Sequence, residues 1–322
     1  MSLDKEHISF DKVINSLNDT LIKSQHSIYN KSTEDQTSIH VIGAPRSGTT
    51  LLTQLLLTYL DIGYINNLTA AFYKSPVYGV RLSRQLLGDN YKSQMTSNYG
   101  RTTHIQEPHE FSYFWKMHLN YPDFLQRTYD VNHKVNWEGL KEALYQITLA
   151  YEKPVVYKSF QFGFHLQEAV KLMPKTIFLY IERNLLQNAY SILNLRKTKS
   201  DNENSWASIK PVQYDFLKNE NKYRQIIGQI LFLNYEYKKQ LSLIPEKNKM
   251  FIAYSDLCKL TEKNIGLVLD KVNKHTVIST RDEPILDLNE NIKEVPVEIV
   301  SEFRKAEDWV RNNFPELKTY NV

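Results

Sequence analysis

Apolar residues recur along this chain with two periods. Ile8, Val13, Ile14, Leu17, Leu21 and Ile22 fall at roughly three- and four-residue steps, the spacing of one helix face. A polar stretch over residues 30–38 separates them from 39–42 (IHVI), a short β-branched run. From Thr49 onward Leu51, Leu52, Leu55, Leu56 and Tyr59 return to the helical period. Three more compact apolar runs, 154–158 (PVVYK), 176–181 (TIFLYI) and 249–254 (KMFIAY), read as buried strands beside helical patterns. Near-continuous apolar strands alternating with helices predict an α/β fold with a central, mostly parallel sheet flanked by helices.

The pattern lapses in two places. Residues 66–136 are rich in aromatics and irregular in period, which predicts an insertion over the carboxyl ends of the strands, where open α/β sheets bind ligands. Its rings, among them Phe72, Tyr73, Phe111, Tyr113, Phe114 and Trp115, offer either core or a stacking platform for an acceptor. Residues 197–210 (KTKSDNENSWASIK) are polar and unpatterned, a loop whose Trp206 and Lys210 are placed to close over a ligand. Residues 260–322 read as polar-faced helices. With no internal repeat, one domain over 1–322 is expected, residues 1–38 forming a helical N-terminal extension.

Composition removes several classes of function. Forty Lys+Arg against 36 Asp+Glu give a net +4, too mild for a dedicated nucleic-acid binder yet compatible with a basic pocket for one small polyanion. Cys258 is the only cysteine, which excludes an internal disulfide, a Cys-based zinc cage and a CxxC redox pair. The longest apolar stretch, 51–60, is interrupted by Thr53, Gln54 and Thr58 and falls short of the ~20 residues that span a bilayer. The opening residues MSLDKEHISF lack the apolar core of a secretory signal, so a soluble, cytoplasmic protein is expected.

Chemistry enters at residues 43–50. Gly43, Ala44, Pro45, Arg46, Ser47, Gly48, Thr49 and Thr50 follow the GxxxxGK(S/T) spacing of a phosphate-binding loop, set between a strand and an amphipathic helix. The glycines let successive N–H groups turn inward, and the helix adds its positive end. Thr49 stands where an NTPase carries its lysine, and the cation has moved to Arg46. Such a loop suits a 5′-phosphate with a neighbouring anion and is poorly equipped for Mg·ATP.

Residues 43–52 (GAPRSGTTLL) resemble the 5′-phosphosulfate loop of sulfotransferases, the family that uses 3′-phosphoadenosine 5′-phosphosulfate (PAPS) as donor. After the strand at 176–181, Arg183 with Ser191 eight residues later resembles that family's 3′-phosphate motif, and Asn184 is a good helix N-cap between them. The resemblance covers residues 39–260 and implies a P-loop-like fold, sulfonate transfer to an acceptor hydroxyl, no required metal, and a small-molecule or glycan acceptor. A carbohydrate comes first among acceptors, then a phenol or lipid-like alcohol.

The resemblance also assigns Arg46 to the bridging oxygen and sulfonate, and Lys158 with Ser159 to the Lys-Ser/Thr pair beside the sulfonate. A histidine that serves as base in the cytosolic branch is replaced here by Ser159 and Phe160. The base is therefore sought in 107–110 (EPHE), a segment of a type found in bacterial members of the family, where Glu107, His109 and Glu110 lie next to four aromatics. A glutamate buried among rings becomes a competent base near neutrality. Glu110 is taken first and Glu107 second; the competing reading of each is a helix cap or a packing residue. A zinc site is not expected, since Tyr113 stands where HExxH needs its second histidine. The alternatives in other classes are a P-loop kinase or NTPase and a non-catalytic 3′,5′-ADP-binding protein.

Overall fold

The computed structural model describes residues 10–25, 35–89, 91, 104–122, 134–199 and 203–318. Ile8, and parts of the aromatic insertion and of the polar loop at 200–202, lie outside them. Helix α1 (Phe10–Gln25) precedes β1 (Ser38–Ile42), α2 (Thr49–Tyr59), the two-residue β2 (Gly63–Tyr64), α3 (Asn67–Ala71), α4 (Pro76–Leu87) and α5 (Ser112–Leu119). Then come α6 (Trp137–Tyr151), β3 (Val155–Lys158), α7 (Leu166–Leu172), β4 (Thr176–Glu182), α8 (Leu185–Lys199), α9 (Tyr214–Leu217) and α10 (Lys222–Ser242). The chain continues through β5 (Lys249–Ala253), α11 (Tyr254–Lys259), α12 (Thr261–Asn273) and α13 (Val297–Asn313). The described polar C-terminal part thus holds α12 and α13 separated by 274–296, a strap whose one bridge, Thr280 to Leu60, ties it to the end of α2.

The strands pair in the order β2-β3-β1-β4-β5, and every pairing is parallel. Central β1 sets Ser38 opposite Val155 on one side and opposite Thr176 on the other. All five β1 residues are buried because helices cover both faces. Ile39 and Val41 meet Leu52, Leu55 and Leu56 of α2 and Val268 of α12. On the opposite face Ile42, Tyr157 and Phe178 meet Trp115 of α5, Ile147 of α6 and Leu233 of α10. A third cluster joins Ile192 and Leu193 of α8, Ile226 and Ile230 of α10, and Phe303 of α13.

The described part of the aromatic segment includes the three helices α3, α4 and α5. Phe111, Phe114 and Trp115 are fully buried core residues, while Tyr113 remains exposed against Tyr73. His40 on β1 is enclosed by Tyr157, Trp115, Phe162 and Phe178, and burial lowers its pKa to about 3, so it is neutral in the fold. Among the described residues no helix is long and apolar enough to cross a membrane.

A wholly parallel sheet sends all its strand ends to one edge. The loop after β1, Ser159 after β3, Arg183 after β4 and Tyr254 after β5 therefore emerge together.

Candidate active site

The β1–α2 loop is held by close approach. A Cβ on Gly43 would stand 2.4 Å from the Ile181 carbonyl of β4, so only glycine lets the chain leave the sheet there. Gly48 has φ +113°, and a Cβ on it would lie 2.5 Å from the Tyr254 ring. Between them Arg46 adopts the left-handed region at φ 68°, unusual for a non-glycine residue. Ser47 N–H closes the turn on the Ala44 carbonyl at 3.1 Å, and Asn188 of α8 donates to the Pro45 carbonyl at 2.6 Å. The first N–H groups of α2 lack intrahelical partners and face the loop's side of the helix, an anion site in waiting.

Three cations converge on this loop from three elements. Arg46 Nε donates to Ser191 Oγ at 3.1 Å, which joins the loop to the second turn of α8. Arg183 is buried at the end of β4, with its guanidinium 4.6 Å from the Tyr254 ring centre. One of its nitrogens donates to the Arg46 carbonyl at 3.5 Å, another donates to the Asn291 carbonyl of the strap, and Nε has no partner. Asn184 accepts from Gln187 N–H at 3.2 Å, the N-cap the sequence predicts. Ser191 therefore meets Arg46, whereas the sequence pairs it with Arg183. Lys158, at the end of β3 and 3% exposed, donates to Thr50 Oγ1 at 2.9 Å. Lys158 thus reaches the start of α2 from the neighbouring strand.

The 107–110 cluster separates into three environments. Glu110, about one-third exposed, places Oε1 3.0 Å from Lys158 Nζ. Glu107 is buried, and its Oε2 accepts from Gln54 of α2 and from the Tyr91 hydroxyl, each at 2.9 Å. His109 Nδ1 accepts from Phe111 N–H at 2.8 Å and so supports the left-handed turn into α5. Glu110 is thus brought to Lys158, which in turn holds Thr50 at the end of the loop.

A cleft of about 640 Å³ opens beside Arg183, lined by Asn184, Tyr254, Ser255 and Asp256 among others. Tyr254 is the functional residue that sequence reasoning misses. The run 249–254 reads as one strand, whereas β5 stops at Ala253 and Tyr254 opens α11. No periodicity marks a residue whose importance lies in its contact with Gly48 and Arg183. Asn291 and Lys293 are missed for the same reason: Gln187 makes two hydrogen bonds with the Lys293 backbone, at 2.9 and 3.0 Å. Trp206 and Lys210 of the polar loop pack on Tyr214, at 4.8 and 4.5 Å from its ring.

Comparison with known proteins accords with this geometry. The family model described as the sulfotransferase family matches residues 38–273. No match is found among curated proteins. Among solved structures, sulfotransferase STF9 from Mycobacterium avium aligns over 92% of this chain and 73% of its own, with TM-score 0.51 at 11% identity. Sulfotransferase STF1 from Mycobacterium tuberculosis aligns over 94% and 82%, with TM-score 0.48 at 13% identity. A sulfotransferase domain from the curacin biosynthetic pathway covers 74% and 75%, at 15% identity and TM-score 0.41. Matched over most of its length, with a wholly parallel sheet whose β1–α2 loop has phosphate-loop spacing without the lysine, the chain belongs to the sulfotransferase family and is a sulfotransferase enzyme.

Proposed function

We propose that this enzyme transfers a sulfonate from PAPS to an acceptor hydroxyl, with a carbohydrate alcohol as the first acceptor class. The observation that carries the reading is the convergence of Arg46, Lys158 and Arg183 on the 43–50 loop, with Glu110 alongside. The donor set fits a doubly anionic nucleotide. Arg183 Nε and Ser47 Oγ are buried polar atoms without partners, and the adjoining cleft offers an aromatic wall at Tyr254.

In this reading the loop amides, Thr49 and Thr50 hold the 5′-phosphate, while Arg183 and Ser191 hold the 3′-phosphate. When bound, PAPS supplies an activated sulfonate on a phosphate leaving group. Arg46 and Lys158 neutralise the charge that develops on the bridging oxygen, and enclosure makes both cations more effective than in water. Glu110 accepts the hydroxyl proton of the acceptor. Lys158 Nζ lies 3.0 Å from Glu110 Oε1, which keeps the proposed proton acceptor beside the proposed sulfonate position.

Thermal unfolding with 3′,5′-ADP, 5′-AMP and Mg·ATP at equal concentration tests the donor. A ligand at 100 times its Kd stabilises by about 2.7 kcal/mol. The expected result is a rise specific to 3′,5′-ADP, with sulfonate transfer that persists in EDTA. A rise with Mg·ATP alone overturns the reading in favour of a kinase or NTPase. Binding of 3′,5′-ADP without transfer to any member of a broad acceptor library would mark a non-catalytic protein.

A further inference from the structure

The edge opposite the loop carries its own chemistry. The turns that lead into β4 and β5, and the end of α12, meet there. Asn248 Nδ2 donates to the Pro174 and Thr176 carbonyls at 2.8 and 2.7 Å, and Lys271 Nζ donates to the Glu246 carbonyl at 2.7 Å. His275, whose pKa is lowered first by burial, also feels the charges of Lys247, Lys175 and Lys271. Residues 171–175, 242–249 and 271–277 are therefore one contiguous surface.

That surface is charged out of proportion to its size. Its twenty residues hold six lysines and one glutamate, a net +5. The whole chain is +4, so the remaining 302 residues are net negative. Glu246 is spent on Lys249, which turns inward to the Leu241 carbonyl. Lys171, Lys175, Lys247 and Lys274 are exposed and pair with no carboxylate among the described residues. Each of the three segments also carries an exposed apolar side chain: Leu172 at 40%, Leu243 at 51% and Val277 at 85%.

We propose that this edge docks on an anionic lipid bilayer, its lysines on the headgroups and Leu172, Leu243 and Val277 in the interfacial layer. Cations attract any polyanion within about 10 Å. Apolar tips interleaved with them add nothing toward a soluble polyanion, yet they match the boundary between headgroups and acyl chains. Parallel strands fix the consequence for orientation. The seven residues of β4 separate this edge from Arg183 by about 20 Å, so the docked enzyme presents its active site to the aqueous side.

Co-sedimentation of the full chain with vesicles tests this, using pure phosphatidylcholine and mixtures with phosphatidylglycerol. Binding is expected only to the anionic vesicles and should weaken steeply with salt. The triple variant Lys175→Gln, Lys247→Gln, Lys274→Gln should bind about a hundredfold more weakly, at about fivefold per lysine. The variant Leu172→Ser, Leu243→Ser, Val277→Ser keeps the charge and should also bind several-fold more weakly. Unchanged thermal unfolding and unchanged activity in solution would show that both variants fold. Absence of binding to anionic vesicles overturns the proposal. Binding indifferent to the apolar variant, and displaced by soluble polyphosphate, overturns it in favour of a polyanion site.

Discussion

Lys158 Nζ lies 3.0 Å from Glu110 Oε1, although 48 positions separate them in the chain and they arise from different elements. The lysine ends β3, and the glutamate immediately precedes the turn into α5. Because Lys158 also holds Thr50 at 2.9 Å, it links Glu110 to the end of the 43–50 loop.

That link makes both residues sensitive in turnover. Glu110→Gln removes the proposed proton acceptor at nearly constant shape, and kcat should fall by about 10²–10⁴-fold. Stabilisation by 3′,5′-ADP should stay close to wild type. Initial rates and melting curves on the same preparation check both. An unchanged kcat would send the base elsewhere. Lys158→Met should lower kcat at least as far, since it removes the buried cation proposed to stabilise the leaving group.

Arg183, proposed to hold the 3′-phosphate, should separate donor binding from chemistry. Arg183→Ala should abolish the thermal shift with 3′,5′-ADP. Arg183→Lys should restore only part of it, because an ammonium cannot supply two parallel donors while resting on the Tyr254 ring. Isothermal titration with 3′,5′-ADP gives the affinities directly, and equal Kd values for Lys and wild type would argue against bidentate recognition.

Glu107 should behave as a structural residue. Glu107→Ala leaves the donors of Gln54 and Tyr91 buried without this acceptor. At about 1–3 kcal/mol for each of the two unsatisfied groups, a loss of about 2–6 kcal/mol is expected in urea unfolding. Turnover per folded molecule should change only a few-fold. A loss comparable to that of Glu110→Gln would make Glu107 the base instead.

Gly48 couples the loop to Tyr254. Gly48→Ala adds a Cβ 2.5 Å from that ring at a φ of +113° that favours glycine. Strain of about 1–3 kcal/mol is expected, together with weakened 3′,5′-ADP binding as the ring is pushed toward Arg183. Urea unfolding and titration calorimetry measure the two effects separately.

Acid should unfold the protein through its buried histidines. Burial lowers the pKa of His40 to about 3 and of His118 to about 4, against an ordinary 6.5. Below pH 6.5 the unfolded chain binds protons that the native state refuses, so their contribution is complete above 6.5 and lost as pH falls toward 4 and 3. Each histidine should cost about 2 kcal/mol between pH 7 and pH 5. His40→Phe should remove one share of that slope, since Ser38 keeps Thr176 as a partner. Urea unfolding at the two pH values, in wild type and variant, reads the difference.

Much of this molecule was legible one-dimensionally. The apolar runs that became β1, β3, β4 and β5 are visible because strands buried on both faces must be apolar throughout. The 43–50 loop is visible because a turn around phosphate needs glycines at fixed spacing, and Asn184 because an N-cap is a local event. The two-residue β2 left no such trace, since its place depends on pairing with β3.

What the sequence leaves open depends on contacts between distant segments. Glu107, His109 and Glu110 are all candidates along the chain, with Glu110 taken first and Glu107 second, and only folding buries Glu107 on Gln54, ties His109 to Phe111 and sets Glu110 on Lys158. Ser191 is spaced for Arg183 yet meets Arg46, because the left-handed turn at Arg46 aims its side chain at α8. Tyr254, Asn291 and the lysine edge likewise exist only once the parallel sheet has sorted the strand ends to opposite sides. Periodicity and spacing fix local geometry, whereas the choice among equivalent side chains is made by burial and long-range partners, which packing alone supplies.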